Sequence, residues 1–384
     1  MKKSYIAVVV GTRPGIIKMS PIVSVLQKQK IPHFVIHTGQ HYSAEMDDVF
    51  MRELGITSEV FRVSDSHKKT LHGEKTAHML AGVEAVLHRE KPGAVLVCGD
   101  ANTNLAAGLA ARKLHILLGH VESGLRSWDW RMPEEHNRVM LDHISELLFA
   151  PTKECVENLQ RESVRGEIHL TGNTIVDALM QGYKKAEQKS SILQSLGLIK
   201  KEYLLLTTHR EENVDNQKRL NGILGGIDLI LNEIGLPIIF PIHPRTKKRI
   251  HQMNLRTILE KLKTKGLKVI EPLGYFDFLA LLNGAKIVLT DSGGLQEEAC
   301  ILDKKTITLR NNTERPETIE AGTNVIAGTE PTVIYEKVIL MLKKSVKRAK
   351  HPFGDGKAAE RIAQITMRAL KNGINLNGSP QVKT

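Results

Sequence analysis

The sequence predicts an α/β protein built from two doubly wound domains, each a parallel sheet covered by helices on both faces. Short apolar runs alternate with amphipathic helical stretches along most of the chain, the pattern of repeated βαβ units. The alternation starts twice, with a polar helical stretch between the two series. The 384 residues, 41% of them apolar, suffice for two ordinary cores, since a domain typically holds ~100 to 200 residues.

The first series comprises strands over Tyr5 to Val10, His33 to His37, Ala94 to Cys98, Ile116 to Val121, Leu147 to Ala150 and Ile168 to Thr171. The second comprises Tyr203 to Thr208, Ile238 to Ile242, Lys268 to Ile270, Lys286 to Thr290 and Thr306 to Leu309. Runs this short and this apolar read as buried strands, whereas helices need longer periodic stretches. The expected division is an N-terminal α/β domain over 1–175, a hinge region over 176–201, a C-terminal α/β domain over 202–355, and a C-terminal helix with a frayed tail over 356–384. No internal repeat is evident. The apolar run after Met1-Lys2-Lys3 is too short for a signal peptide and leads into Gly-Thr-Arg-Pro. No stretch approaches the ~18 apolar residues that cross a bilayer.

Formal charge is +12 with a pI near 9.4, which suits nucleic acid, an acidic membrane surface or a small anion. Part of the excess belongs to solvated stretches such as Lys247 to Arg249 and Lys343 to Lys350. Aromatic residues make up only 4%, and none interleave with the basic runs, so the stacking platforms of single-strand binders are absent. A small anion is the expected partner, with neither nucleic acid nor membrane. The three cysteines, Cys98, Cys155 and Cys300, are far apart and form neither a disulfide framework nor a metal spacing, which points to a reducing cytoplasm.

Chemistry concentrates between Gly119 and Arg138, where four carboxylates, two histidines and three arginines follow one strand. Open α/β sheets bind ligands beyond the carboxyl ends of their strands. The turn Gly11 to Lys18 brings Arg13 and Lys18 to the end of the first strand but lacks Gly-x-Gly-x-x-Gly, so no nicotinamide cofactor is expected. Asp100 follows the third strand, where it is a reacting acid or only a helix cap. Glu122, Glu134 and Glu135 follow the fourth. In the second half His209 and Arg210 end one strand and His243 the next. Asp291-Ser292-Gly293-Gly294 is a strand, tight turn and helix start, whose free amides and dipole favour an oxyanion. Glu298 lies one turn further and suits ribose hydroxyls; Arg310 and Arg315 offer cations to a diphosphate. No two-histidine helix motif appears, and cations surround the carboxylates, so no metal is expected.

Several ordered strings carry a family resemblance: Gly-Thr-Arg-Pro-x-x-x-Lys from 11, His-Thr-Gly-Gln-His at 37–41, Gly-Asp-x-x-Thr at 99–103, His-Val-Glu-Ser-Gly-Leu-Arg at 120–126, Pro-Glu-Glu-x-Asn-Arg at 133–138, Gly-Asn-Thr at 172–174, Asp-Ser-Gly-Gly-x-Gln-Glu-Glu at 291–298 and Thr-Glu-Arg-Pro-Glu at 313–317. The chain resembles the non-hydrolysing UDP-N-acetylglucosamine 2-epimerases, which have two Rossmann-like domains facing a cleft, the GT-B architecture. The resemblance runs from about residue 5 to 330. It implies interconversion of UDP-N-acetylglucosamine and UDP-N-acetylmannosamine without a cofactor, by elimination and readdition of UDP through a 2-acetamidoglucal. It also implies a role in supplying surface polysaccharide precursors; a homodimer is expected only as the commonest symmetric assembly.

By the same resemblance Asp100, Glu122 and Glu134 match acid and base carboxylates, and Lys18 and His209 match further active-site groups. Arg13, Arg138, Ser292, Gly293, Gly294, Glu298 and Arg315 match UDP-binding positions, with Tyr275 and Phe278 where the uracil is expected. Gly15 stands where the family usually has Glu, and Asn102 where it often has Thr. Of the pattern for activation by substrate, only Gln40 is present. The string from Thr208 to Asp215 also resembles relatives acting on UDP-2,3-diacetamido-glucuronate. Other readings are a GT-B glycosyltransferase using a UDP-sugar, a nucleotide-sugar-binding regulator without turnover, and a hydrolysing epimerase.

Overall fold

In a computed structural model, residues 5–39, 50–63, 71–345, 352–372 and 382–383 are described. Two compact units emerge: Met1–Met180 together with Phe353–Thr384, and Gln181–Pro352. The strands of the first unit are β1 Ile6–Val10, β2 His33–His37, β3 Val60–Arg62, β4 Ala94–Cys98, β5 Leu117–Val121, β6 Leu147–Ala150, β7 Glu167–Leu170 and β14 Val382–Lys383. Those of the second are β8 Leu204–Thr207, β9 Ile238–Pro241, β10 Leu267–Ile270, β11 Ile287–Thr290, β12 Lys305–Thr308 and β13 Asn324–Ile326. The first unit holds a parallel sheet of strand order β14-β7-β6-β5-β4-β1-β2-β3, and the second a parallel sheet of order β10-β9-β8-β11-β12-β13.

All eleven strands expected from the sequence are present, displaced by no more than one residue at either end. They are legible because parallel central strands are apolar on both faces: Ile6 to Val10, Ala94 to Cys98 and Ile287 to Thr290 are buried throughout. The three that the sequence does not announce, β3, β13 and β14, are edge strands of two or three residues, too short to establish a period.

Each sheet reverses its strand order once. In the first unit β1 pairs with both β2 and β4, so the switch lies between β1 and β4. In the second, β8 pairs with both β9 and β11, which puts the switch between β8 and β11. The helices that follow these strands leave in opposite directions around the sheet, and the gap beyond the strands' carboxyl ends is the usual ligand crevice. The turns at these points are Gly11 to Arg13, Gly99 to Ala101, Thr208 to Arg210 and Asp291 to Gly293.

Gly11 shows how tightly one turn is packed. A β-carbon there would collide with the hydroxyls of Thr38 and Thr103, which hydrogen-bond each other at 2.8 Å. Only glycine fits between them.

The unit boundary falls inside the helix Thr174–Lys189, early in the stretch expected as a hinge, and the chain returns to the first unit at Phe353. The C-terminal helix Ala358–Asn372 is therefore part of the first unit and not a separate appendage. The carboxylate of Asp177 fastens it, accepting from the amides of Ala358 (3.3 Å) and Ala359 (3.0 Å). Asn173 N–H donates to the carbonyl of Phe353 at 2.8 Å, and the backbones of Gly172 and Gly354 meet with φ values of 86° and 106°. Within this unit Leu370 reaches Gly93, the residue before β4. Gln40, His41 and most of the tail expected to fray lie outside the described residues.

Gly11→Ala must push two buried threonines apart, and urea denaturation is expected to show a loss of about 1–3 kcal/mol. The second contact makes stability depend on pH. Burial pushes the Asp177 carboxyl up to about 6, against the two amides that favour its charged form. Because its folded value exceeds its unfolded one, the group binds more protons when folded, and its contribution to stability is full at low pH and lost as pH rises from about 4 through 6. Asp177→Asn should flatten that part of the stability–pH curve when wild type and variant are compared by urea denaturation between pH 4 and 7; parallel curves would refute it.

Candidate active site

At the switch of the first unit, the turn after β1 starts the helix Arg13–Lys28. Thr12 caps it, its hydroxyl accepting from Gly15 N–H at 3.3 Å, and Pro14 occupies the first turn. One turn in, buried Lys18 forms an ion pair with buried Glu122. Glu122 follows β5 with φ of 68°, a left-handed backbone that costs a non-glycine residue about 1–3 kcal/mol and is commonest at functional sites. The guanidinium of Arg13 lies 5.6 Å from the centre of the Phe50 ring.

Asp100 lies beside this pair. A β-carbon on Gly99 would sit 2.9 Å from Glu122 Oε2, so the glycine leaves room for that carboxylate. Asp100 is not the cap of the following helix: Asn102–Lys113 is preceded by Ala101, without a side-chain cap bond. Instead Asp100 Oδ2 accepts from Arg138 Nη1 at 3.0 Å, with the aspartate side chain 39% exposed and the arginine 3%. Arg138 donates through Nε to Glu135 at 3.0 Å, and its Nη2 is buried without a hydrogen-bond partner. Glu135 is buried and also accepts from the backbone of Ser127 (3.0 Å) and Trp128 (3.1 Å). Glu134, its neighbour in the first turn of Pro133–Ile144, is half-buried. Two carboxylates, each next to a cation, thus stand at one switch point with a third on the adjoining helix.

At the switch of the second unit, the fully buried carboxylate of Asp291 spans the gap between β11 and β8. It accepts from the Thr208 hydroxyl (2.7 Å), the amides of His209 and Arg210 (3.1 Å each) and Asn213 Nδ2 (3.1 Å). His209 is thereby aimed from the strand end, its ring 5.5 Å from that of His243. Burial lowers its pKa; Arg210 and Arg245 lower it further, while Asp291 opposes them.

Ser292 caps the helix Gly293–Ile301, its hydroxyl facing the Leu295 amide at 3.5 Å, and nothing crowds Gly294. The guanidinium of Arg315 comes within 4.0 Å of where a Gly293 side chain would begin. It is held by buried Glu297 and by the Glu314 carbonyl at 3.0 Å. Glu298 is buried on this helix, and its charge, after burial, helps raise the Tyr275 phenol well above its usual value. Tyr275 is buried, whereas Phe278, in the same helix Tyr275–Gly284, is partly exposed.

Asp100, Glu122, Lys18 and Arg138 are brought together in the first unit, as are Ser292, Gly293, Gly294 and Arg315 in the second, with Tyr275 beside Glu298. Sequence reasoning misses Glu135, Asp291 and Glu297 as anchors, although each adjoins a residue that it picks out. Their signal lies in Pro-Glu-Glu and in Asp-Ser-Gly-Gly, but sequence does not tell a carboxylate that holds a loop from one that meets a ligand. Among the described residues no group of three or more His, Cys, Asp or Glu is placed to hold a metal ion.

The sequence model described as UDP-N-acetylglucosamine 2-epimerase matches residues 24–367. A protein named UDP-N-acetylglucosamine 2-epimerase from Methanocaldococcus jannaschii is 49% identical over 94% of this chain and 98% of its own. UDP-2,3-diacetamido-2,3-dideoxy-D-glucuronate 2-epimerase from Pseudomonas aeruginosa is 36% identical over 94% and 98%. The crystal structure of the M. jannaschii UDP-GlcNAc 2-epimerase in complex with UDP-GlcNAc and UDP superimposes with a TM-score of 0.88 at 48% identity, covering 95% of this chain and 99% of that one. By its parallel sheets, its switch-point turns and these matches, the chain belongs to the UDP-N-acetylglucosamine 2-epimerase family.

Proposed function

We propose that this protein interconverts UDP-N-acetylglucosamine and UDP-N-acetylmannosamine. Carbon 2 of the sugar has no adjacent carbonyl to acidify its hydrogen, so direct proton removal is unfavourable. Loss of UDP from carbon 1 as the proton leaves carbon 2 gives a 2-acetamidoglucal. Readdition of UDP at carbon 1, with a proton delivered to the opposite face of carbon 2, inverts that centre and balances the reaction. This requires a base on one face, an acid on the other and a firm grip on the diphosphate.

The observation that carries the reading is the pairing of Glu122 with Lys18 and of Asp100 with Arg138 at one switch point. In our reading Asp100, Glu122 and Glu134 share the acid and base roles, Lys18 and Arg138 hold two of them in place, and His209 serves the reacting sugar and diphosphate. The helix start at Ser292, Gly293 and Gly294 receives a phosphate on its free amides, with Arg13 and Arg315 as cations, Glu298 for the ribose and Tyr275 and Phe278 for the uracil. The 36% identity to the diacetamido-glucuronate enzyme supports that sugar nucleotide as the alternative substrate. A homodimer, the commonest symmetric assembly, acting in the cytoplasm completes the proposal; the buried free cysteines suit a reducing compartment, and no described helix is long and apolar enough to cross a membrane.

Incubation with UDP-N-acetylglucosamine in heavy water, followed by NMR, should show deuterium at carbon 2 and both epimers still joined to UDP, with no acceptor needed. Free N-acetylmannosamine would overturn the non-hydrolysing reading, and turnover of only the diacetamido-glucuronate nucleotide would replace the sugar. Asp100→Asn and Glu122→Gln should each lower kcat by about 10² to 10⁴-fold while the thermal transition remains cooperative. Wild-type turnover in both variants would remove these carboxylates from the chemistry.

A further inference from the structure

Behind the paired carboxylates a chain of alternating charges runs from a buried histidine out to the partly exposed Glu162, and the proposed reaction gives it no role. His120 stands on β5 in register with Val97 and is fully buried. Its Nδ1 is 2.7 Å from Asp142 Oδ1 and its Nε2 is 3.1 Å from the carbonyl oxygen of Gly99. Both partners accept, and a neutral imidazole has a single N–H to give. Two such bonds require a hydrogen on each ring nitrogen.

Charge balance leads to the same state. Asp142, fully buried, also receives Arg126 Nη2 at 2.8 Å and the Gly124 amide at 3.1 Å. Arg126 in turn closes on Glu162 with two bonds of 2.6 Å. One guanidinium between two carboxylates leaves a negative charge over; Glu162 is 18% exposed, whereas Asp142 is fully buried and is the carboxylate that needs a second cation. His143 reaches Glu162 only at 3.5 Å from a half-exposed position. A charged His120 closes the chain. Burial pushes the Asp142 carboxyl up, yet it lies below the ordinary range because His120 and Arg126 face it.

The Gly99 carbonyl belongs to the peptide that carries Asp100. The amide of Gly99 is already bound to the Val121 carbonyl at 3.0 Å, and the Glu122 carboxylate fills the space beside its α-carbon. His120 therefore grips the remaining side of the turn on which both carboxylates depend. We propose that His120 is a positioning residue, an imidazolium clamped between Asp142 and the Gly99 carbonyl that fixes Asp100 and Glu122 in reacting geometry. It touches no substrate. The inference rests on the reading that these carboxylates move the proton at carbon 2.

Two measurements test it independently. In the full-length wild-type protein with ¹⁵N-labelled histidine, long-range ¹H–¹⁵N correlation near neutral pH should show two protonated nitrogens for His120, assigned by the signals missing from His120→Gln. One bare nitrogen overturns the imidazolium, whatever reaction the enzyme catalyses. His120→Gln and Asp142→Asn should lower kcat by about 10 to 100-fold, the usual consequence of a misplaced reacting group, while KM for UDP-N-acetylglucosamine changes by less than about threefold and UDP binding is retained. A folded variant of either kind with wild-type kcat overturns the positioning role. Where His120→Gln does not fold, the His120 ring is assigned in the wild-type protein by triple-resonance correlation to its backbone, and that spectrum still decides the charge state that the role requires. A wild-type protein that turns over neither sugar nucleotide defeats the functional reading, and with it the positioning role, while the spectrum still reports the imidazolium on its own.

Discussion

Buried carboxylates that tie adjacent turns together hold both halves of this molecule's chemistry in place. A parallel sheet whose strand order reverses leaves a gap between two turns that have no ladder to connect them. In the second unit Asp291 closes that gap by receiving four donors from the neighbouring turn and helix, all within 3.1 Å. In the first, Glu135 and Asp142, two turns apart on one helix, fasten the loops after β5 and the arginines beneath them. Isolated carboxylates would be costly at such depth. Here each satisfies several backbone or cationic donors at once, which makes removal of a single partner worse than removal of the whole group.

Much of the fold is legible in the sequence because the strands are buried on both faces. Val8, Leu96 and Leu205 sit in unbroken apolar runs for that reason, and their alternation with helices dictates a parallel arrangement. Edge strands such as Asn324–Ile326 have little apolar face to bury and no pattern to betray them. The return of the C-terminal helix to the first unit is also invisible, since its amphipathic pattern records that it packs on something without recording on what. Contacts such as that of Asp177 with Ala358 and Ala359, 181 and 182 residues further along, disclose the partner.

The site is legible to a different extent. Glycines, prolines and clustered charges at strand ends mark the turns, and the family strings supply roles for Asp100, Glu122 and Ser292. What those strings do not separate is reacting group from scaffold. Glu134 and Glu135 are adjacent and chemically alike, yet the second is buried on four donors while the first remains half-exposed. Likewise Asp291 and Ser292 are neighbours with opposite duties, one turned into the fold and the other capping a helix start. Side-chain direction makes these differences, and it depends on tertiary packing rather than on local propensity.

The double visit of the chain to its first unit bears on synthesis. Translation delivers residues up to 180 first, but the helix that packs on Arg13–Lys28 and the strand Val382–Lys383 arrive only after the whole second unit has been made. The second unit is continuous and can close on itself as it emerges. The first must wait with Gly93 uncovered until Leu370 appears, so the older half of the polypeptide is the last to complete its native packing.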